Sequence, residues 1–317
     1  MLPARFLSWA GIYIPGGEQR RMIPLLLDTD IGSDIDDALA LTYLLCQPEC
    51  ALLGVTTVTG QPEVRASLAE ALCRAAGQGD VPIHVGAAKP LLLPVRQPDV
   101  PQAAALTAQW PHRTFGGENT AAEFMRRTIC ERPGEVTLLA IGPLTNIALL
   151  FALDRGIPAL LRRVVLMGGQ YYRRAPGRGV AEWNILNDPH AAAIVFGADV
   201  PLTAVGLDVT TQCVLSSAQC AERLAAAQGP LALARAMAGV WLERVPQVTF
   251  HDPLAAALLF RPDLCAVQPE RVQVELVSLL ALGQTVCAQD PAERPHGVAS
   301  SVGVDAFFQH YFSVVNG

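Results

Sequence analysis

The chain has 317 residues, 51% of them hydrophobic and 16% charged, and a formal net charge of −6. That length buries a sizeable core in one large domain or two intimately joined ones. The negative balance, with no basic run beyond pairs such as Arg126-Arg127, Arg162-Arg163 and Arg173-Arg174, argues against a nucleic-acid surface and for a small-molecule substrate.

Residues 1–21 differ in kind from the rest. Arg5 followed by an apolar run over 6–14 resembles a weak signal peptide, but Gly16-Gly17-Glu18-Gln19-Arg20-Arg21 stands where a small-residue cleavage site is needed. The expectation is a loosely ordered extension over 1–21, or a start at Met22, ahead of a single domain over 22–317.

The apolar run 24–27 predicts a buried parallel strand. It leads into Asp28-Thr29-Asp30-Ile31-Gly32-Ser33-Asp34-Ile35-Asp36-Asp37 and then an apolar-periodic helix over 38–46. Asp36 or Asp37 can cap that helix and Gly32 can make the tight turn, which gives a structural reason for one carboxylate or two. The others repel one another unless a cation sits among them, and oxygen ligands at this density suit Ca2+ or Mg2+ better than zinc.

Further on, 51–58 reads as a strand, 63–76 as an amphipathic helix and 81–85 as a short strand. The stretch 89–117, rich in Pro, Gln and Ala, is too long for a passive link and reads as a functional lid or rim. A helix over 119–130, a strand over 136–141, a helix over 143–153 with Pro143 in its first turn, and a strand over 164–167 follow. The uncharged run 136–153 is interrupted by Gly142, Pro143, Thr145 and Asn146, so it is not a membrane span. A polar loop over 170–187 precedes a helix over 189–196, a strand over 202–205, and helices over 216–228 and 231–245. His251-Asp252-Pro253 starts another helix, and 272–286 reads as a hairpin. The eight cysteines show no CxxC spacing and read as core residues of a reduced, cytoplasmic protein.

Strand and helix alternate throughout. The fold class is therefore α/β, with an open, mostly parallel central sheet flanked by helices and a Rossmann-like core. Ligands gather at the carboxyl ends of strands in such sheets, where Asp28, Asp30, Gly142, Gly168-Gly169 and the Asp208 region all fall. The prediction is one crevice assembled from distant segments.

The motifs together resemble a known family. Asp28-Thr29-Asp30-Ile31-Gly32 through Asp36-Asp37-Ala38, Ile141-Gly142-Pro143-Leu144-Thr145-Asn146-Ile147-Ala148, Met167-Gly168-Gly169, Ala181-Glu182-Trp183-Asn184-Ile185 with Asp188-Pro189, and His251-Asp252-Pro253 are similar, in order, to the inosine-uridine-preferring nucleoside hydrolases. The resemblance implies Ca2+-dependent cleavage of the N-glycosidic bond of ribonucleosides in a homodimer or homotetramer, and the charge, the cysteines and the interrupted apolar run add the expectation of a cytoplasmic protein with no nucleic-acid or membrane partner. Asp30, Asp37 and Asp252 would bind Ca2+ by carboxylate and Ile141 by its backbone carbonyl. Asp36, Glu182 and Asn184 would bind the sugar, with Gln61 standing where the family usually has a ribose-binding Asn. Asp30 would also take a proton from the attacking water, and His251 would be the acid for the leaving base.

The sequence also departs from the family pattern. Ser33-Asp34 looks like a two-residue insertion, so that Asp34 is an alternative to Asp36 or Asp37, and Ala175-Pro176-Gly177-Arg178-Gly179 replaces the usual Gly-Asn before the Glu182 motif. Trp110, His112, Tyr171, Tyr172, Trp241 and Phe250 are candidates for stacking on a base; Trp241 reads first as core and His112 first as solvent-exposed. Two other readings remain. One is a phosphatase using Asp28 or Asp30 as nucleophile; the other is a non-catalytic or unusual-substrate ribosyl-binding protein on the same fold.

Overall fold

In the computed structural model, which describes residues 22–173, 177 and 179–317, the chain begins with β1 (Ile23–Thr29), α1 (Asp36–Cys46), β2 (Cys50–Thr57), α2 (Pro62–Ala75) and β3 (Ile83–Val85). Next come α3 (Ala121–Glu131), β4 (Thr137–Ala140), α4 (Thr145–Leu153), α5 (Ile157–Leu160) and β5 (Arg163–Met167). They are followed by α6 (Trp183–Asn187), α7 (Pro189–Phe196), β6 (Leu202–Val205), α8 (Leu207–Thr210), β7 (Val214–Ser216), α9 (Ser217–Arg223), α10 (Gly229–Leu242), β8 (Gln247–Thr249) and α11 (His251–Leu258). The last are β9 (Cys265–Glu270), β10 (Val272–Val274), β11 (Thr285–Cys287), β12 (His296–Val302) and α12 (Val304–Val315).

The main sheet runs β3-β2-β1-β4-β5-β6-β12-β9, parallel throughout except where β9 pairs antiparallel with β12. Strand order reverses between β1 and β4, so the chain leaves a crevice at their carboxyl ends. Side chains alternate across the sheet. Leu25, Leu27, Val55, Leu139 and Val165 face one core layer with α1, α2, α10, α11 and α12; Leu26, Leu138, Ala140, Val164 and Leu166 face the other with α3, α4, α5 and α7. Burial on both faces is why these strands read as continuous apolar runs.

The first layer ends in an aromatic cluster. The Phe250 ring meets Tyr311 edge-on at 5.3 Å, Tyr311 stacks on Tyr43 at 5.7 Å, and the Tyr311 hydroxyl donates to the Leu39 carbonyl of α1 at 3.0 Å. The last helix thus lies across the first.

Several boundaries differ from expectation. The helix expected over 216–228 stops at Arg223, after Ser216 and Gln219 close a capping box at its start. The end of the expected loop 170–187 is α6, because the Glu182 carboxylate accepts the Asn184 and Ile185 N–H groups. The 272–286 hairpin exists as β10 and β11, which bracket a long connection. β9, β12 and α12 have no counterpart in the sequence reading; Pro269 interrupts the β9 pattern and is tolerated because β9 is an edge strand. Among the described residues no helix is long and apolar enough to cross a membrane. The extension over 1–21, and Ala175, Pro176 and Arg178 of the departing motif, lie outside the described residues.

Candidate active site

The acidic turn after β1 is held by backbone geometry. Gly32 sits at φ +113°, where a Cβ would come within 2.6 Å of the Leu68 side chain, so the turn requires glycine. The helix that follows is not capped by its own aspartates. Its N-cap is Ile35, whose N–H is bonded at 2.7 Å to Asp34 Oδ1, while Asp36 and Asp37 stand in the first turn at the positive end of the helix dipole. Their charge therefore goes to the crevice and not to capping.

Asp252, in the first turn of α11, joins them from the far end of the chain, and carboxylate oxygens of Asp36, Asp37 and Asp252 all lie within 4.8 Å of one another. The Asp252 N–H donates to Asp36 Oδ2 at 3.2 Å, and the Thr29 hydroxyl donates to Asp37 Oδ1. Asp30 stands beside this triad and acts electrostatically on each member. All four carboxyls are pushed above the usual range, first by burial; repulsion from neighbouring carboxylates adds to the rise at Asp36, Asp37 and Asp252. Beneath them, burial pushes Asp28 up to about 7, against hydrogen bonds from Thr56 and Asn146.

A buried cation braces the turn. Arg65 of α2 donates to the carbonyls of Thr59 (2.8 Å), Asp30 and Ile31 (3.0 Å), to Ser33 Oγ (3.0 Å) and to the Gln97 carbonyl (3.4 Å). Gly142 completes the wall from β4, since a Cβ there would come within 2.8 Å of Asp30 Oδ1.

The opposite wall is α6. The Glu182 carboxylate accepts from the N–H groups of Asn184 (2.8 Å), Ile185 (3.1 Å) and Gly169 (3.1 Å); burial outweighs these bonds and pushes it up to about 6. Asn184 Nδ2 donates to the Ile141 carbonyl at 2.9 Å and to the Met167 carbonyl at 3.2 Å, tying the ends of β4 and β5 together. His251 closes the crevice with Nδ1 2.7 Å from the Thr210 hydroxyl.

Asp30, Asp34, Asp36, Asp37, Ile141, Glu182, Asn184, His251 and Asp252 line one cavity of about 510 Å³, a volume suited to a small ligand. Residues up to 222 positions apart in sequence thus meet at one sheet edge. The set can hold a hard cation through oxygen, accept a proton from water, and stabilise a developing positive charge.

The comparisons with known proteins fit this geometry. Residues 25–309 match the family model for inosine-uridine preferring nucleoside hydrolases. The chain belongs to this family. It is therefore a hydrolase acting on N-glycosyl bonds of ribonucleosides. It is 37% identical over 280 residues to the pyrimidine-specific ribonucleoside hydrolase RihA of Shewanella oneidensis, covering 83% of this chain and 86% of that one. It is 32% identical over 282 residues to uridine nucleosidase 1 of Arabidopsis thaliana, covering 84% and 82%. A plant nucleoside hydrolase structure superimposes with a TM-score of 0.80 at 23% identity, covering 92% of this chain and 98% of that one, a likeness of fold.

Not every residue expected at the hydrolase site is there. Thr59 and Gly60 both adopt left-handed backbone (φ +64°), which turns the chain so that Gln61 becomes the exposed N-cap of α2 and donates to the Pro98 carbonyl at 3.0 Å. Of the six stacking candidates only Trp241 lines the cavity, with its Nε1 bonded to the Gln247 carbonyl. Phe250 belongs to the aromatic core, the Tyr171 hydroxyl donates to the Gly168 carbonyl, Tyr172 reaches Glu270, and His112 and Trp110 bond to one another through the Trp110 carbonyl. Conversely, the nucleoside hydrolase cavity includes Gln97 and Trp183, which received no individual role from sequence, and it rests on Arg65. The only hint in the sequence was that 89–117 is too long for a passive link and that Trp183 sits inside the Glu182 motif.

Proposed function

We propose that the chain is a Ca2+-dependent nucleoside hydrolase that releases free base and ribose. The observation that carries this reading is the convergence of buried Asp30, Asp36, Asp37 and Asp252 at the carboxyl edge of β1. Such a group of carboxylates is stable only when protonated or neutralised by a cation, and an all-oxygen donor set fits Ca2+. Asp30, Asp37 and Asp252 would hold it with the Ile141 carbonyl, and Asp36, whose oxygen lies within the triad, would face both the ion and a ribose hydroxyl. When bound, Ca2+ supplies positive charge that orients sugar hydroxyls and makes a nearby water more acidic.

The chain's own residues do the rest. Asp30 takes the proton from the attacking water, for which it needs only hydrogen-bonding reach. Glu182, anionic above about pH 6, faces the positive charge that develops on the sugar as the glycosidic bond breaks. His251, at the cavity wall, protonates the departing base. Trp183 and Trp241 offer it aromatic surface.

The test is reducing-sugar release from inosine, uridine, adenosine and cytidine, with Ca2+ and then with chelator. Release that chelator abolishes and Ca2+ restores is expected. Binding without any release over hours would move the assignment to a non-catalytic ribosyl-binding protein, a reading that Gln61 favours by facing away from the cavity. Phosphate release from p-nitrophenyl phosphate would revive a phosphatase; among the described residues lining the cavity there is neither lysine nor arginine to hold a phosphoryl group.

The same proposal includes a cytoplasmic homodimer or homotetramer. All eight cysteines are free thiols, in keeping with a reducing compartment. At the tip of the β10–β11 hairpin Val277, Leu279 and Leu280 are 90%, 96% and 91% exposed, an apolar surface that a second copy would cover. Light scattering on the native chain and on Leu279→Asp/Leu280→Asp checks this; the substituted chain should run as a smaller species.

A further inference from the structure

The segment 89–117 folds back over the acidic turn and is fastened to it at several points. The Gln102 N–H donates to the Gly32 carbonyl at 3.0 Å, the Ser33 hydroxyl donates to the Asp99 carbonyl at 3.1 Å, and Arg65 reaches the Gln97 carbonyl from below. Gln61, expected at the sugar, serves as another fastener through its bond to the Pro98 carbonyl. The effect of these ties is to fix residue 97 at the mouth of the crevice. Its side chain crosses from one wall to the other, with Nε2 donating to Asp30 Oδ2 at 2.8 Å and Oε1 accepting from Trp183 Nε1.

A primary amide has two N–H groups and two lone pairs on its oxygen. In this bridge one N–H and one lone pair are used, leaving one donor and one acceptor on a group that lines the cavity. A hydroxyl, itself donor and acceptor, matches that pair. The amide lies against the Asp30 carboxylate on one side and meets Trp183 at the indole Nε1 on the other. In a ribonucleoside the hydroxyls belong to the sugar, so the sugar is the part that such a donor and acceptor pair suits.

We propose that Gln97 is a specificity-determining residue that reads one hydroxyl of the ribosyl group, the place that the family resemblance gives to Gln61. This rests on the nucleoside-hydrolase reading of the site. The ties from Arg65 and Ser33 make the longer acidic turn and the strap one unit, so that Gln97 arrives already positioned and little side-chain freedom is lost on binding.

The experiment compares wild type, Gln97→Met, Gln97→Ala and Gln61→Ala on a ribonucleoside and on its 2′-deoxy, 3′-deoxy and 5′-deoxy analogues, with several bases. Gln97→Met keeps the length of the side chain and removes its donor and acceptor; Gln97→Ala repeats the loss with a different shape. An unchanged thermal midpoint establishes folding of each. Both Gln97 variants should lower kcat/KM on the parent nucleoside about tenfold or more, and should match wild type within about twofold on the one analogue that lacks the hydroxyl being read. Gln61→Ala, which removes one tie of several and no group from the cavity, should lose less than either Gln97 variant on the parent nucleoside. An equal loss on every analogue, a loss that follows the base and not the sugar, no loss at all, or a larger loss in Gln61→Ala would each overturn the proposal. If wild type releases no ribose, the hydrolase reading fails on its own. The same four chains are then compared by equilibrium binding of the same nucleosides, where the same pattern is expected and its absence overturns the role of Gln97.

Discussion

At its first turn α1 presents Asp36 and Asp37 to the crevice; further along, Leu39 and Tyr43 lie in the aromatic cluster. The two regions share one helix and are equally buried, yet they obtain their order in opposite ways. In the cluster, apolar area leaves water and the polar atoms are paired: Gln47 donates to the Tyr43 hydroxyl at 2.9 Å, and Tyr311 donates to Leu39. In the crevice, carboxylates are buried side by side against mutual repulsion. The cluster and the sheet thus supply the stability that allows the crevice to exist, as expected when strain is concentrated where chemistry occurs.

Removing one carboxyl is the strongest way to sharpen this contrast. Asp30→Asn should lower kcat by about 10²–10⁴-fold, the usual contribution of a positioned general base, in single-turnover ribose release. Asp37→Asn should abolish activity and yet raise the unfolding midpoint measured without divalent cation, by roughly 2–4 °C for each kcal/mol of repulsion relieved. A fall in that midpoint would show that the crevice is not under electrostatic load.

Tyr311→Ala, in the cluster, should do the reverse. It is expected to cost about 3–5 kcal/mol in denaturant titration, while kcat of the molecules that remain folded is unchanged. Tyr311→Phe, which loses only the bond to Leu39, should cost about 1 kcal/mol.

A smaller effect separates the regions by pH. Glu182 is pushed up to about 6, so kcat/KM should rise about tenfold between pH 5 and 7 as it ionises, and Glu182→Gln should flatten that limb. Because its folded value lies above the ordinary 4.5, its contribution to stability is present below about pH 4.5 and is lost as pH rises through about 6. The smallest effect is at His296, far from the crevice. Its Nδ1 accepts from the Val272 N–H at 2.9 Å and its Nε2 donates to the Phe196 carbonyl at 3.0 Å, an arrangement that requires the neutral ring; burial lowers its pKa. The unfolded chain therefore takes up the proton first, and stability should decline as pH falls below about 6.5. His296→Gln should reduce that decline in calorimetric scans from pH 8 to 5.

The sequence made the central strands and their helices legible because β1, β4 and β5 are apolar on both faces and end in Asp30, Gly142 and Gly168-Gly169. It made the carboxylates legible because they fall at those ends. Gln97 was not legible: it lies in a Pro-rich stretch without periodicity, and its bond to Asp30 spans 67 residues. Gln61 misled for a conformational reason, since two left-handed residues just before it redirect a side chain that adjacency would place at the sugar. Arg65 sits on a helix whose pattern reads as ordinary amphipathic, and nothing local marks it as the brace of a turn 32 to 34 residues away. The β9–β12 edge escaped because an edge strand with one face in water has no continuous apolar run to read.

The bond from Tyr311 to Leu39 joins positions 272 residues apart. On the ribosome, where chains grow at about 5–20 residues per second, α1 is complete roughly 15–50 s before the helix that covers it exists. For the first 206 residues of that interval α1 also lacks Asp252, so its acidic first turn waits for its partner from α11. The order of synthesis thus puts the acidic turn first and the carboxylate that completes it, and then the helix that locks α1, last.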